Sequence, residues 1–211
     1  EDFPPLKTLD ARPNNLPIQL TSFIGREKEL KYLKDELKQN RLLTLTGTGG
    51  AGKSRLSLQA GADLIDDFEN GVWFVELAAV SDPDFLTAEI INALGIKEES
   101  NKTPEETLTD HLEDKEILII LDNCEHLINA CADLSERLLS SCPKLKIIAT
   151  SREALNCAGE QTFKIPPLTH PDPKVYNTPE QLTQYESVRL FIERALTINS
   201  KFRVNNENAP A

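Results

Sequence analysis

Gly47-Thr48-Gly49-Gly50-Ala51-Gly52-Lys53-Ser54 is the stretch on which the reading of this chain turns. Glycine at 47 and 52, lysine at 53 and a hydroxyl at 54 satisfy every fixed position of the phosphate-binding pattern G-x-x-x-x-G-K-[ST]. The setting fits as well. An apolar strand, Arg41 to Thr46, runs into the loop, and a helical pattern near 53–66 runs out of it. Glycines let the chain curl until main-chain N–H groups point inward at phosphate oxygens, and the helix N-terminus adds the positive end of its dipole. Lys53 then reaches the β and γ phosphates. Ser54 offers a hydroxyl to Mg2+, a hard cation that takes oxygen ligands. Gly47, Thr48, Gly49, Gly50, Ala51, Gly52, Lys53 and Ser54, with Arg55 directly after them, are therefore the expected nucleotide contacts.

Outward from the loop, short β-branched and apolar runs alternate with longer stretches whose apolar residues lie three or four apart. This is the rhythm of βαβ units. Strands are expected near 42–46, 72–77, 117–121, 146–150 and 161–164. Helices are expected over 27–37 and near 53–66, 84–94, 104–113, 125–140 and 179–199. Ile117-Leu118-Ile119-Ile120-Leu121 has no polar alternation, as a central parallel strand covered on both faces requires. The fold class is α/β, a doubly wound and mostly parallel sheet.

Glu116 to Asp122 is an apolar strand ending in an aspartate, the shape of a Walker B segment. Asp122 is the second expected metal ligand beside Ser54. Hydrolysis also needs a group that orients or deprotonates water, and Asn123 cannot serve as a base. Two carboxylates can face the γ phosphate: Glu125, one turn into the next helix, and Glu76, at the end of the second strand. Glu125 is favoured, and both stay open. Lys146 to Arg152 forms a strand whose C-terminal end brings hydroxyls and a guanidinium to the edge where open α/β sheets bind ligands. Arg152 can read a γ phosphate with two prongs. His111, His126 and His170 stand singly, and Trp73 in its strand reads as core.

The chain has 211 residues, 39% of them apolar, with nine Gly and thirteen Pro, which is ordinary globular composition. Its formal net charge of −11 repels nucleic acid and anionic lipid surfaces, so neither is an expected direct partner. The longest apolar run is far short of the roughly 20 residues a membrane span needs, and no signal segment opens the chain. A cytoplasmic domain is expected. Cys124, Cys131, Cys142 and Cys157 have no zinc-site spacing and read as reduced thiols. The chain contains no methionine, even at position 1, and so reads as a piece of a longer protein. The proline-rich residues 1–20 read as an extended arm, 21–167 as the nucleotide-binding domain, and 168–211 as the start of a truncated helical subdomain.

Thr21-Ser22-Phe23-Ile24-Gly25-Arg26-Glu27, Leu121-Asp122-Asn123-Cys124-Glu125-His126-Leu127 and Ala149-Thr150-Ser151-Arg152-Glu153 together resemble the signal-transduction ATPases with numerous domains. This STAND class is related to NB-ARC and AAA+ proteins, and the likeness is to its bacterial members. The resemblance implies a five-stranded P-loop sheet in the order 5-1-4-3-2. It implies that Ile24, Gly25 and Arg26 contribute to the adenine pocket, and that Arg152 senses the γ phosphate. It further implies ATP/ADP and Mg2+ as cofactors, other domains of the same polypeptide as partners, and nucleotide-dependent self-association. Many NB-ARC relatives carry two acidic residues where this chain has Asp122-Asn123, so slow hydrolysis is expected. The family's later Gly-x-Pro segment is absent. Asp2-Phe3-Pro4-Pro5-Leu6-Lys7-Thr8-Leu9-Asp10 resembles the linker that follows a class III nucleotide cyclase in some bacterial proteins.

The leading functional expectation is a regulatory ATPase switch. One rival is a small-molecule kinase, although Glu153 to Gln184 contains none of the arginines such a lid uses. Another is an interaction module locked in its ADP form.

Overall fold

The computed structural model describes residues 12–97, 101–172 and 178–205. Residues 1–11, and with them the whole of the expected cyclase-type linker Asp2 to Asp10, lie outside the described residues. The chain divides into two compact units. One comprises Glu1–Gln19 and Lys28–Ile165, the other Leu20–Glu27 and Pro166–Ala211.

The first unit is built on five strands: β1 (Leu42–Thr46), β2 (Val72–Glu76), β3 (Leu118–Asp122), β4 (Lys146–Ser151) and β5 (Glu160–Lys164). They pair in the order β2-β3-β4-β1-β5, every pair parallel, which is the expected 5-1-4-3-2 arrangement. Every residue of β3 is buried, in keeping with its unbroken apolar run. The helices are α1 (Glu27–Gln39), α2 (Lys53–Asp63), α3 (Leu86–Ala93), α4 (Pro104–Leu112) and α5 (Ile128–Ser141).

Strand alternation distributes these helices over two faces. Ile119 and Leu121 of β3, with Ile147 and Ala149 of β4, join the core cluster that contains Ile90 of α3, Leu108 of α4 and Leu138 of α5. Ile120 points the other way, toward α2. A Cβ placed on Gly61 of α2 would lie 2.8 Å from Ile120 Cδ1, so glycine is what lets α2 approach the sheet. The N-terminus of α4 is fixed by a capping box between Thr103 and Glu106, with Pro104 in its first turn.

Three helices differ from the periodicity. The one expected near 125–140 begins at Ile128, because Asn123 adopts φ 69° and sends Cys124–His126 into a short 3-10 turn. Glu125 therefore sits on that turn rather than inside the helix. The one expected near 84–94 is a 3-10 turn over Pro83–Phe85 followed by α3, with Asp82 capping the Asp84 N–H. The one expected over 179–199 splits into α6 (Pro179–Leu182) and α7 (Glu186–Ile198).

Residues before α1 border β2. Asn14 bridges to Val72, and Asn15 mimics a strand neighbour by donating to Phe74 O at 2.8 Å and accepting Phe74 N–H at 2.6 Å. Gly71 turns into β2 with φ +89°, and a Cβ there would stand 1.8 Å from Pro13 O. Only glycine fits that approach.

In the second unit, Glu186 at the start of α7 accepts the main-chain N–H of Arg26 at 2.7 Å and of Thr169 at 3.0 Å. Gly25 and Arg26 both have positive φ, 70° and 68°, so this carboxylate fixes a turn that a non-glycine residue adopts only at a cost. None of the residues of α7 is fully buried, and Phe191 is 61% exposed. No helix among the described residues is long and apolar enough to cross a membrane.

Candidate functional site

β1 ends at Thr46, the chain curls through Gly47–Gly52, and α2 starts at Lys53. Ala51 N–H donates to Thr48 O at 3.2 Å inside the loop, while Gly50 and Gly52 take left-handed φ of 77° and 87°. Side chains at 49, 50 and 52 would meet nothing within 4 Å. The glycines therefore leave open space beside the main chain, as a bulky anion requires. Lys53 is buried despite its charge, and its ammonium donates to Gly47 O at 2.9 Å and Thr48 O at 3.2 Å. Loop carbonyls hold the cation at the mouth of the cradle. Ser54 and Arg55, both half-buried, follow in the first turn of α2.

Asp122 closes β3 two strands away, with β4 between it and β1. It is buried, and its Oδ1 accepts the Thr150 hydroxyl at 2.6 Å. Thr150 Oγ1 in turn accepts the Asn123 N–H at 2.9 Å. One hydroxyl thus fixes both the carboxylate and the left-handed residue after it. Glu76 ends β2 directly opposite Asp122 in the register and is exposed.

Arg152, just past β4, donates through Nε to Glu125 Oε1 at 2.9 Å. The guanidinium side is open, with 69% of the Arg152 side chain exposed against 19% for Glu125. Glu125 Oε2 is buried and has no hydrogen-bond partner among the described residues. The structure therefore brings the loop, Asp122, Glu125 and Arg152 to the C-terminal edge of one sheet. Ile24, Gly25 and Arg26 lie in the second unit, where Arg26 also donates through Nη1 to Pro166 O at 2.6 Å.

Sequence reasoning gave no role to Thr150 or Glu186. Thr150 had a signal, a hydroxyl at the end of a strand, but its partner was visible only once β4 was known to lie beside β3. Glu186 had none, since its contacts reach 160 residues back to Arg26. His126 accepts no catalytic role, its Nε2 being 2.7 Å from Val80 O. Cys124 lies behind the site, its Sγ 3.4 Å from Leu121 O, and contact with Cys131 and burial push its thiol well above the usual range.

The donor set suits a nucleotide phosphate chain with a hard divalent ion. Among the described residues no group of three or more His, Cys, Asp or Glu could hold a metal ion by itself. One buried carboxylate and one serine hydroxyl instead match an ion whose remaining ligands are phosphate and water oxygens.

A parallel sheet in this order with a glycine cradle between β1 and α2 defines a nucleotide-binding domain of the P-loop NTPase class. Within that class the chain belongs to the family described as novel STAND NTPase 1, whose model matches residues 18–158. An uncharacterized protein of Mycobacterium tuberculosis is 41% identical over 190 residues, 90% of this chain and 45% of that protein. A putative HTH-type transcriptional regulator of the same organism is 37% identical over 175 residues, 83% of this chain and 18% of the regulator. The chain thus spans less than half the length of these relatives. Among solved structures, a STAND protein with a tetratricopeptide repeat sensor from Pyrococcus horikoshii has a TM-score of 0.51 at 17% identity, covering 87% of this chain and 30% of that one. A Walker-type ATPase of Pyrococcus abyssi has a TM-score of 0.55 at 15% identity, covering 93% of this chain and 65% of that one. At those identities the likeness is one of fold.

Proposed function

We propose that this domain is an ATP/ADP-responsive switch of a multidomain signalling protein, with slow Mg2+-dependent hydrolysis resetting it. The main chain of Gly47–Gly52 and the Lys53 ammonium hold the phosphates, with Arg55 beside them, and Ser54 and Asp122 hold the metal. The metal, when bound, neutralises charge on the phosphoryl oxygens. Arg152 reads the γ phosphate. Ile24, Gly25 and Arg26 serve the base. Of the two carboxylates, Glu125 is the one joined to Arg152 and is favoured to orient the attacking water, while Glu76 stands exposed at the end of β2. Asn123 in place of a second acid supports slow turnover.

The observation that carries this reading is the pairing of an open glycine cradle with a buried, hydroxyl-held aspartate at the same sheet edge. Four free cysteines agree with a reducing, cytoplasmic setting. Relatives named as transcriptional regulators support an output on other parts of the polypeptide, since a charge of −11 argues against direct nucleic-acid contact by this part. Calorimetry on the folded chain tests the core of it. ATP and ADP should bind with Kd on the order of 1 μM or tighter (about −8 kcal/mol), and Lys53→Ala should abolish both. A folded wild-type chain that binds neither nucleotide ends the proposal.

A further inference from the structure

Beside the cradle is a cavity of ≈ 540 Å³ whose walls include Gly47, Thr48 and Gly49 of the loop, Arg152 and Glu153 after β4, and Lys164 at the end of β5. Two cations and one carboxylate line it, a local excess of positive charge in a chain whose net charge is −11. Lys164 is not placed there by chance mobility of a loop. Its Cα is in register with Thr46, the residue from which the cradle springs, and the next residue, Ile165, donates its N–H to Thr46 O at 2.8 Å. The root of the loop and the root of the Lys164 side chain are thus one hydrogen-bonded ladder. Lys164 is exposed and has no ion-pair partner among the described residues, whereas Arg152 is anchored by Glu125 through Nε. A guanidinium bound through Nε retains its other N–H donors.

We propose that Lys164 is a further phosphate contact: with Arg152 it receives the terminal phosphoryl group across this cavity, and so helps the site tell a triphosphate from a diphosphate. This deepens the nucleotide-switch reading and rests on it. Lys53 supplies its charge from inside the cradle, so a phosphoryl group extending beyond the loop gains from charge on another wall. Anchored Arg152 and free Lys164 supply that charge from two adjacent strands of β1, one on each side. The same chemistry accommodates inorganic phosphate left after hydrolysis.

Calorimetric titration of the whole chain with ATP, with ADP, and with inorganic phosphate added to the ADP complex separates these cases. Lys164→Ala should weaken ATP binding about tenfold and leave ADP unchanged, with Lys164→Arg restoring most of the loss; a charge-assisted contact is of that size. A loss confined to the phosphate titration places the leaving product, rather than the intact γ group, against Lys164. Unaltered affinity for both ATP and phosphate, or equal losses for ATP and ADP, overturns the proposal. Wild type that binds no nucleotide would instead refute the switch reading beneath it. Because Lys164 is exposed, the variant should keep the wild-type thermal unfolding profile, which serves as the folding control.

Discussion

The Thr150 hydroxyl lies 2.6 Å from Asp122 Oδ1, and both groups are buried at the ends of adjacent parallel strands. The same oxygen accepts the Asn123 N–H at 2.9 Å, so a single side chain satisfies a carboxylate and a main-chain donor that water cannot reach freely. Asp122 is thereby held in one orientation, the pre-organisation that the proposed metal site needs from its surroundings.

Thr150→Val keeps the shape and removes the hydroxyl, leaving both partners unsatisfied. The expected cost is about 1–3 kcal/mol in urea unfolding. ATP affinity measured in Mg2+ should fall toward the value measured in EDTA, and Thr150→Ser should restore both properties. A Val variant as stable as wild type, with full metal dependence, would show that the hydroxyl has no such role.

Glu125 and Arg152 allow a division of labour to be read out. Glu125→Gln keeps an oxygen for Arg152 Nε but loses the charge, so ATP affinity should change little while steady-state phosphate release drops about a hundredfold, the usual scale for losing a base. Arg152→Ala should weaken ATP binding and spare ADP. Stability should move by less than about 1 kcal/mol in either variant, because the pair is largely solvent-exposed on the arginine side. Phosphate release at the wild-type rate in Glu125→Gln, with a drop in Glu76→Gln, would transfer the water-orienting role to β2.

In the second unit, Glu186 is subject to burial, which raises its pKa, but the main-chain N–H groups of Thr169 and Arg26 outweigh this and hold it below the ordinary glutamate value. A lowered folded-state pKa means that the stabilisation is present above the unfolded value, about 4.3, and is lost as pH falls through the folded one. Hydrogen exchange at the Arg26 and Thr169 amides should therefore accelerate, beyond the intrinsic pH trend, on acidification below about pH 4. Glu186→Gln should flatten that dependence. Equal profiles for the two proteins would remove the carboxylate from the account.

The glycine cradle, the strand before it and the helix after it were legible in eight consecutive residues, because glycine spacing, a lysine and a hydroxyl are demands the backbone makes locally. The unbroken apolar run ending in Asp122 was equally local. Strand order needed the resemblance, and the structure has the order it implied. Periodicity failed at Glu125, where it saw a helix. A left-handed Asn123 delays helix α5 to Ile128, and nothing in a hydrophobic pattern marks a single positive φ.

What the sequence determined by itself was therefore the side-chain chemistry at each position: a glycine-rich loop with a lysine and a serine, a strand-end carboxylate and a strand-end arginine on a parallel α/β sheet. Tertiary structure alone decided which of these groups are neighbours. Thr150 reaches Asp122 from 28 residues away, Arg152 reaches Glu125 from 27, and Lys164 stands against the loop because β5 pairs with β1. Side-chain type is written residue by residue, whereas adjacency is set by how strands order across a sheet, and that order follows from packing summed over the whole domain.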